Sequence, residues 1–166
     1  MTKSQMLNAK IAIVVAQWHE DLVTIAVNSC SAELSKLGVA VERNVKTFKV
    51  PGSLEIPLIS KLIIPTGQWD AVIAFGLVVD GGIYRHEFVA QTVLDGMMKV
   101  ALETKVPILS AVLTPQKFDE SNRKDIEFFQ KHLVKKGAEV ARSAVETIQV
   151  ARDLKKLPLT KQTKND

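Results

Sequence analysis

The order of apolar and polar positions along the chain predicts four strands, each followed by a helix. Residues 10–17 form a β-branched apolar run of strand length, and residues 22–37 then carry apolar side chains at three-to-four spacing, as on one face of a helix. Gly38 is placed to end that helix in a left-handed conformation. Residues 39–50 alternate between apolar and polar side chains, which predicts a second strand with a more exposed face.

A proline limits where the second helix can begin. The apolar spacing predicts a helix over residues 53–64. Pro57 is tolerated only in the first turn of a helix, so this helix must begin between Ser53 and Ile56.

Two apolar runs frame a third helix. Residues 70–79 and 107–114 are almost continuously apolar, which is typical of strands that are covered on both faces. Between them, residues 84–105 predict a long amphipathic helix. Its expected core face holds Phe88, Val89, Val93, Met97, Val100 and Ala101.

The last part of the chain predicts one long helix. After an irregular polar stretch over residues 115–124, this helix is expected to run to about Leu154, with Gly137 inside it as a weak point or a close-packing site. The order β-α-β-α-β-α-β-α predicts an α/β fold with a parallel sheet, helices on both of its faces and right-handed crossovers. We expect a single domain over residues 1–154 and a basic, flexible tail over residues 155–166.

This topology predicts where a ligand would bind. In open parallel sheets, ligands lie outside the carboxyl ends of the strands, where helix N-termini point their N–H groups inward. Four segments are therefore expected to share one rim, namely residues 17–19, 51–55, 76–86 and 110–114. The expectation follows from topology alone and not from a chemical motif.

Composition and charge exclude several classes of protein. The 166 residues are 46% hydrophobic and 24% charged, which excludes collagen-like, low-complexity and coiled-coil chains. The net charge is +4, and residues 152–166 carry three of those charges. Since no basic stripe remains on the folded body, nucleic acid is not an expected partner.

The single cysteine and the short apolar runs indicate in which cellular compartment the protein is expected. Cys30 has no second cysteine to pair with and lies in a helical pattern, which favours a reduced, cytoplasmic protein. The first apolar run, residues 11–16, is too short for a signal peptide, and residues 71–79 are about half the length needed to cross a bilayer. No membrane partner is expected.

Residues on the first two rim segments have both a structural and a functional reading. Trp18 follows the first strand, where it either caps the core or offers a stacking platform for a flat heterocycle. Ser53 reads most simply as an N-cap, and Glu55 as a first-turn acid favoured by the helix dipole.

The third rim segment favours function more strongly. Asp80-Gly81-Gly82 is either a plain turn or an anion site at the following helix N-terminus. Arg85 and His86 stand at that helix start, where cations are unfavourable unless an anion is present. This conflict points to an anionic ligand.

Metal and nucleotide chemistry lack their usual motifs. The three histidines have no spacing that would place two of them on one helix face, and no cysteine cluster assists them, so we expect no metal. The sequence has neither a Walker-type loop nor Gly-x-Gly-x-x-Gly, so neither ATP nor a dinucleotide is indicated.

Three segments carry a resemblance to a known family. Val-Pro-Gly-Ser-Leu-Glu-Ile-Pro at residues 50–57, Gly-Leu-Val-Val-Asp-Gly-Gly-Ile-Tyr-Arg-His-Glu-Phe-Val at residues 76–89, and Lys136-Gly137 resemble lumazine synthases. The likeness runs from about Lys10 to Leu154. It implies a flavodoxin-like three-layer α/β/α sandwich with a four-stranded parallel sheet, assembled into pentamers whose active sites lie between adjacent subunits.

The resemblance also implies a reaction without a cofactor. Lumazine synthases are transferases of riboflavin biosynthesis that condense 5-amino-6-(D-ribitylamino)uracil with 3,4-dihydroxy-2-butanone 4-phosphate. The products are 6,7-dimethyl-8-ribityllumazine, phosphate and water. The implied partners are therefore small-molecule substrates and further copies of the chain.

Site residues follow from the same resemblance, position by position. Trp18 would stack on the pyrimidine, the Ser53 and Leu54 backbone would hold it, and Glu55 would bind ribityl hydroxyls. The ring edge would meet backbone groups of Leu77, Val78 and Val79, and Ser110 would lie on the neighbouring subunit's side of the pocket. The residues implied for phosphate binding are Gly82, Ile83, Arg85, His132 and Lys136.

The sequence departs from the family where proton transfer occurs. Arg85 stands where the family usually has a histidine, and arginine is always protonated and cannot act as a base. His86 comes one residue later, which rotates a helical side chain by about 100°. Phe128 lies near the position of a phosphate-binding arginine. This combination resembles the divergent type II subgroup, whose members tend to form decamers of two pentamers.

These departures leave competing hypotheses. In the first, Arg85 clamps the phosphate, while His86 or the substrate's own phosphate moves protons, so both residues are candidates for the catalytic set. In the second, the chain is a weak or inactive member that binds flavin or lumazine through Trp18 as a carrier or sensor. A flavodoxin-like electron carrier and a purely structural shell are further alternatives.

Overall fold

Four parallel strands form the central sheet. A computed structural model describes residues 6–158 of the chain, and its sheet has the strand order β2-β1-β3-β4. The strands are β1 (Ile11–Ala16), β2 (Val45–Val50), β3 (Ala71–Leu77) and β4 (Ile108–Leu113). The two central strands, β1 and β3, are buried along their whole length.

Four helices alternate with the strands. They are α1 (Glu20–Lys36), α2 (Ile56–Ile63), α3 (His86–Thr104) and α4 (Arg123–Lys156). Shorter segments are a one-turn helix at Val41–Asn44 and 3₁₀ turns at Ser53–Glu55 and Ile64–Thr66. Within residues 6–158, no helix combines the length and the apolar character that a membrane crossing requires.

The side chains of β1 show how the sheet separates two cores. Ile11, Ile13 and Val15 pack in a cluster with side chains of α1 and α4. Ala12 and Val14, which alternate with them, pack on the other side with side chains of α2 and α3. Successive side chains of a strand point to opposite faces, so one continuous apolar strand supports two helical layers. The predicted fold, a parallel sheet in a three-layer α/β/α sandwich, is confirmed.

The second strand is shorter than its pattern predicts. Gly38 has a left-handed φ of 94°, as expected, and the chain then forms the helical turn at Val41–Asn44 before β2 begins. Strand β1 begins at Ile11, opposite the first residue of β2, so the part of residues 39–50 that precedes β2 has no strand to pair with. The alternation there reflects the burial of Val39 in the core on the α1 side.

The fourth strand is not covered on both faces. Only Ala111 and Val112 of β4 are buried, and Ser110 is exposed. β4 ends the strand order, so its outer side pairs with no strand in the described part of the chain. An apolar run alone does not distinguish a central strand from such an edge.

Phe88 is also placed wrongly by the apolar pattern. Its side chain is 61% exposed, whereas the buried residues of α3 are Ala90, Val93, Met97 and Val100. Phe88 precedes Ala90 by two residues, a rotation of about 200° around a helix, so it faces away from the buried side.

Gly137 is a close-packing site between α4 and α1. A Cβ atom built on it would lie 2.1 Å from the carbonyl oxygen of Ala26 and 2.9 Å from the Cβ of Ser29. The two helices can approach this closely only because residue 137 has no side chain. The last helix continues to Lys156, and residues 159–166 of the predicted tail lie outside the described residues.

We expect Gly137→Ala to lower the free energy of unfolding. The clash with the α1 backbone should cost roughly 2 kcal/mol or more, which exceeds the gain of about 1 kcal/mol in helix propensity. Urea unfolding at a fixed protein concentration measures the change, with Ser143→Ala on the exposed side of α4 as the control for propensity. An unchanged midpoint for Gly137→Ala would show that α1 and α4 separate without cost.

Ser60 is a buried polar residue of α2 without a partner. Its residue is 0% exposed, and its hydroxyl has no hydrogen-bond partner among residues 6–158. An unsatisfied buried hydroxyl costs free energy that a methyl group in its place does not.

We therefore expect Ser60→Ala to stabilise the protein by about 1 kcal/mol. Ser31→Ala, at a half-exposed position of α1, measures the part of the gain that comes from helix propensity alone. Both variants are compared by thermal unfolding at one protein concentration. A gain no larger than that of Ser31→Ala would mean that the Ser60 hydroxyl is satisfied in solution.

Candidate active site

The residues predicted for the site lie in two places on the chain. The first group, here called the rim cluster, follows the carboxyl ends of β1, β2 and β3. It consists of Trp18, Ser53, Leu54, Glu55, Leu77, Val78, Val79, Gly82, Ile83, Arg85 and His86. The second group, the edge cluster, lies on β4 and α4 and consists of Ser110, His132 and Lys136.

Trp18 presents an open aromatic face beside β2. Its side chain is 65% exposed, and a Cβ atom on Gly52 would lie 3.8 Å from the indole ring. An indole this exposed does not cap the core, so the stacking interpretation is the one that the geometry favours. The short distance to Gly52 places the ring next to the turn that holds Ser53 and Glu55.

The turn after β2 is held by Glu55. One of its carboxylate oxygens, Oε2, accepts a hydrogen bond from the Gly52 N–H at 2.9 Å. Glu55 is half-buried and lies at the end of the 3₁₀ turn, directly before α2. The second carboxylate oxygen lies on the same rim as Trp18 and is suited to accept hydrogen bonds from ligand hydroxyls.

Ser53 is buried against the end of β3. A Cβ atom on Gly76 would lie 2.5 Å from the Ser53 hydroxyl oxygen. The hydroxyl therefore fits at this position only because residue 76 is a glycine. Ser53 makes no side-chain capping hydrogen bond to α2, whose N-cap position is Glu55. The N-cap reading of Ser53 is therefore wrong, and Gly76 is a supporting residue that the sequence patterns did not single out.

The end of β3 forms the floor of the rim. Leu77 and Val78 are buried and Val79 is half-buried. The Val78 N–H donates to the Leu113 carbonyl of β4 at 2.8 Å. This N–H is thus occupied, and Val78 can meet a ligand only through its carbonyl.

The loop before α3 is open and locally ordered by Asp80. The Gly82 N–H donates to Asp80 Oδ1 at 2.9 Å, and Gly82 has a left-handed φ of 74°. Ile83 is 85% exposed. The Gly82 N–H is therefore occupied by a carboxylate and is not available to an anionic ligand.

Arg85 and His86 occupy the first positions of α3. Arg85 is the N-cap residue, and its guanidinium lies 4.6 Å from the centre of the Phe88 ring. His86 is largely buried, with its Nδ1 atom 3.7 Å from Oε2 of Glu87. The ring of Phe88 thus compensates the unfavourable placement of the Arg85 guanidinium at a positive helix end.

Two residues of the edge cluster, Ser110 and Lys136, line a cavity between β4 and α4. This cavity of about 330 Å³ is lined by Leu109, Ser110, Ala111, Leu113, Lys136, Glu139, Val140 and Ser143. Lys136 Nζ lies 2.8 Å from Glu139 Oε2, and this ion pair holds the pKa of the Glu139 carboxyl below its usual value. His132 lies one turn earlier and stacks on Phe128, with 5.7 Å between the ring centres.

The two clusters are separated within one chain. Ser110 pairs with Ala74 of β3, three residues before Leu77 at the end of that strand. At about 3.3 Å per residue, Ser110 lies roughly 10 Å back from the rim along the sheet. One chain therefore brings the rim residues together but leaves the edge cluster at the open side of the sheet.

A polar stretch also packs beside Trp18. His19 has a left-handed φ of 56° at the N-cap of α1, and its Nδ1 atom lies 3.2 Å from Oε1 of Glu120. The ring of Phe118 meets the His19 ring edge-on, with 5.6 Å between centres. No sequence spacing linked residue 19 to residues 118–120, because the contact depends on how an irregular loop folds.

Two further observations concern reactive groups. Burial raises the pKa of the Cys30 thiol to about 12, so the thiol stays protonated and unreactive at neutral pH. Residues 6–158 contain no group of three or more histidine, cysteine, aspartate or glutamate side chains that could hold a metal ion.

Comparisons with known proteins show the family of the chain. Residues 8–152 match the family model described as 6,7-dimethyl-8-ribityllumazine synthase. The chain is 44% identical to the Rhodococcus erythropolis protein of that name over 158 residues, which cover 95% of this chain and 99% of the relative.

Further relatives carry the name 6,7-dimethyl-8-ribityllumazine synthase 2. The Pseudomonas syringae pv. tomato protein is 43% identical over 90% of this chain and 87% of its own length. The Bradyrhizobium diazoefficiens protein is 45% identical over 84% of this chain and 82% of its own length. With a family model that covers most of its residues and relatives of this identity, the chain belongs to the 6,7-dimethyl-8-ribityllumazine synthase family.

Proposed function

We propose that the chain is a transferase of riboflavin biosynthesis that makes 6,7-dimethyl-8-ribityllumazine. Its substrates are 5-amino-6-(D-ribitylamino)uracil and 3,4-dihydroxy-2-butanone 4-phosphate, and inorganic phosphate and water leave. The rim cluster carries this proposal, since an exposed indole, a half-buried carboxylate and a cationic loop lie at one end of the sheet. A flat ring, a polyhydroxylated chain and a phosphate match these three features.

The pyrimidine and its ribityl chain would bind at the ends of β2 and β3. Trp18 stacks on the ring, while the Ser53 and Leu54 backbone holds its polar edge. Glu55 keeps one carboxylate oxygen on the Gly52 N–H and offers the other to ribityl hydroxyls. The remaining edge of the ring meets backbone groups of Leu77, Val78 and Val79, of which Val78 has only its carbonyl to offer.

The phosphate would bind where the loop before α3 meets a neighbouring subunit. Gly82 and Ile83 shape the loop, and Arg85 turns from Phe88 to pair with the phosphate. Lys136 of the edge cluster supplies a further positive charge, and His132 supplies a further hydrogen-bond donor. Because the edge cluster lies away from the rim of its own chain, it would complete the phosphate site at the rim of the neighbouring subunit.

This arrangement requires a homo-oligomer with active sites between subunits. Rim residues come from one copy, and Ser110, His132 and Lys136 come from its neighbour. We propose a pentamer or a decamer of two pentamers, located in the cytoplasm. The domain covers residues 1–154, followed by the basic tail.

Catalysis would rest mainly on holding two reactive molecules together. The 5-amino group attacks the ketone to form an imine, phosphate leaves by elimination, and the ring closes, with water released in the first and last steps. Fixing both partners in place accounts for several kcal/mol of such a rate enhancement. His86, largely buried at the start of α3, and the substrate's own phosphate would move the protons.

Arg85→Ala tests the phosphate clamp. We expect the KM for the butanone phosphate to rise roughly tenfold or more, because a charge-assisted hydrogen bond to phosphate is lost. The KM for the pyrimidine should stay within about twofold, since Trp18 and Glu55 are untouched. Initial rates of lumazine formation, followed by fluorescence, give both constants.

The control for Arg85→Ala is Arg43→Ala, which removes an exposed arginine just before β2 at the opposite end of the sheet. It should leave both constants unchanged. An unaltered KM for the butanone phosphate in Arg85→Ala would exclude the clamp.

His86→Gln tests the proton transfer. We expect kcat to fall by about tenfold to a hundredfold with little change in either KM, because glutamine keeps the polarity but cannot exchange a proton. A variant with unchanged kcat would remove His86 from proton transfer.

A further inference from the structure

Glu139 is the one carboxylate in the wall of the cavity that holds Ser110 and Lys136. Its Oε2 atom lies 2.8 Å from Lys136 Nζ, and its Oε1 atom lies 3.7 Å from Lys135 Nζ. Both Lys136 and Glu139 line the cavity of about 330 Å³ between β4 and α4. Neither the apolar pattern nor the family resemblance singled out Glu139.

The Glu139 carboxylate already pairs with the Lys136 ammonium group, which the phosphate is expected to bind. Lys136 has one ammonium group, which the Glu139 carboxylate already neutralises. The side chains of the two residues are 39% and 34% exposed, so solvent weakens the pair and it can open. An arriving phosphate must therefore compete with Glu139 for Lys136, and a departing phosphate can be replaced by it.

We infer that Glu139 competes with phosphate for Lys136 and so helps the product phosphate to leave the site. This inference rests on the proposed function, since that reaction releases inorganic phosphate beside Lys136. Glu139 touches no reacting atom in this scheme and acts only through the lysine. It is a positioning residue that sets how tightly the phosphate is held.

A purely structural role for Glu139 makes the opposite prediction. If the carboxylate served only to direct Lys136 into the cavity, its loss would let the lysine side chain move away, and phosphate would bind less tightly. If the carboxylate competes, its loss leaves an unpaired ammonium group, and phosphate binds more tightly. The sign of the change in affinity therefore decides between the two roles.

The experiment measures the binding of inorganic phosphate to the assembled, full-length protein by titration calorimetry. We expect Glu139→Gln to bind phosphate about fivefold more tightly than the unmodified protein, the upper range for the loss of one partly exposed ion pair. The inhibition constant of phosphate in the lumazine-forming reaction should fall by the same factor. Glu139→Asp, which keeps the charge, should restore most of the original affinity.

Two further variants separate local competition from long-range charge. Glu146→Gln removes an exposed carboxylate seven residues later on α4, about 10 Å along the helix, and should change phosphate affinity by less than twofold. In a Lys136→Met background, Glu139→Gln should not change the phosphate affinity, because the ammonium group for which Glu139 and phosphate compete is no longer there.

Each result supports or overturns the inference. Weaker or unchanged phosphate binding in Glu139→Gln would overturn it, and so would an equal gain in Glu146→Gln or a gain that persists with Lys136→Met. Formation of lumazine by the unmodified protein is assayed on the same samples. Absence of that activity would refute the proposed function, whereas activity with an unshifted phosphate affinity would refute only the role of Glu139.

Discussion

The burial of β1 and β3 on both faces is the constraint on which the rest of the structure depends. Every residue of these two strands is buried, so neither strand can carry a polar side chain of the site. Chemistry is possible only where the strands end or where the sheet has an edge. Trp18 follows the end of β1, and Asp80 to Arg85 follow the end of β3, so the polar residues of the rim stand directly after the apolar runs.

The same constraint explains why small residues border the site. The Ser53 hydroxyl reaches the end of β3 only because Gly76 has no side chain, and a Cβ atom on Gly52 would lie 3.2 Å from Glu55 Oε2. On the far side of the sheet, Gly137 lets α4 approach the Ala26 carbonyl of α1. Close packing there fixes α4, and with it the positions of Lys136 and Glu139 beside β4. The edge cavity thus depends on a contact that the same helix makes with α1.

The sequence predicted the strands and helices of the fold better than the exposure of its edge strand and the start of β2. Periodicity identified the strands and helices because burial imposes it, and Pro57 placed the start of α2 because its ring excludes other positions. Strand order is not encoded in periodicity, so the exposure of Ser110 on the edge strand β4 was missed. Val41–Asn44 formed a turn of helix because β1, its only potential partner there, begins too late to pair with it. In each case the missing information was a contact between distant parts of the chain.

In the candidate site, too, the sequence indicated which residues matter but not the contacts that they make. A cation at the start of a helix is a signal for an anion, but spacing alone does not show that the Arg85 guanidinium packs on the ring of Phe88. Spacing along α4 permits Lys136 and Glu139 to pair, as residues three apart on a helix do, but only the packing against β4 shows that the pair faces a cavity with Ser110. Arg85 and Lys136, two of the residues proposed for phosphate binding, therefore each have a partner within their own chain. Since each must exchange that partner for the phosphate, the free energy of binding is the difference between two charge interactions, which permits a phosphate-bearing substrate to bind and a free phosphate to leave.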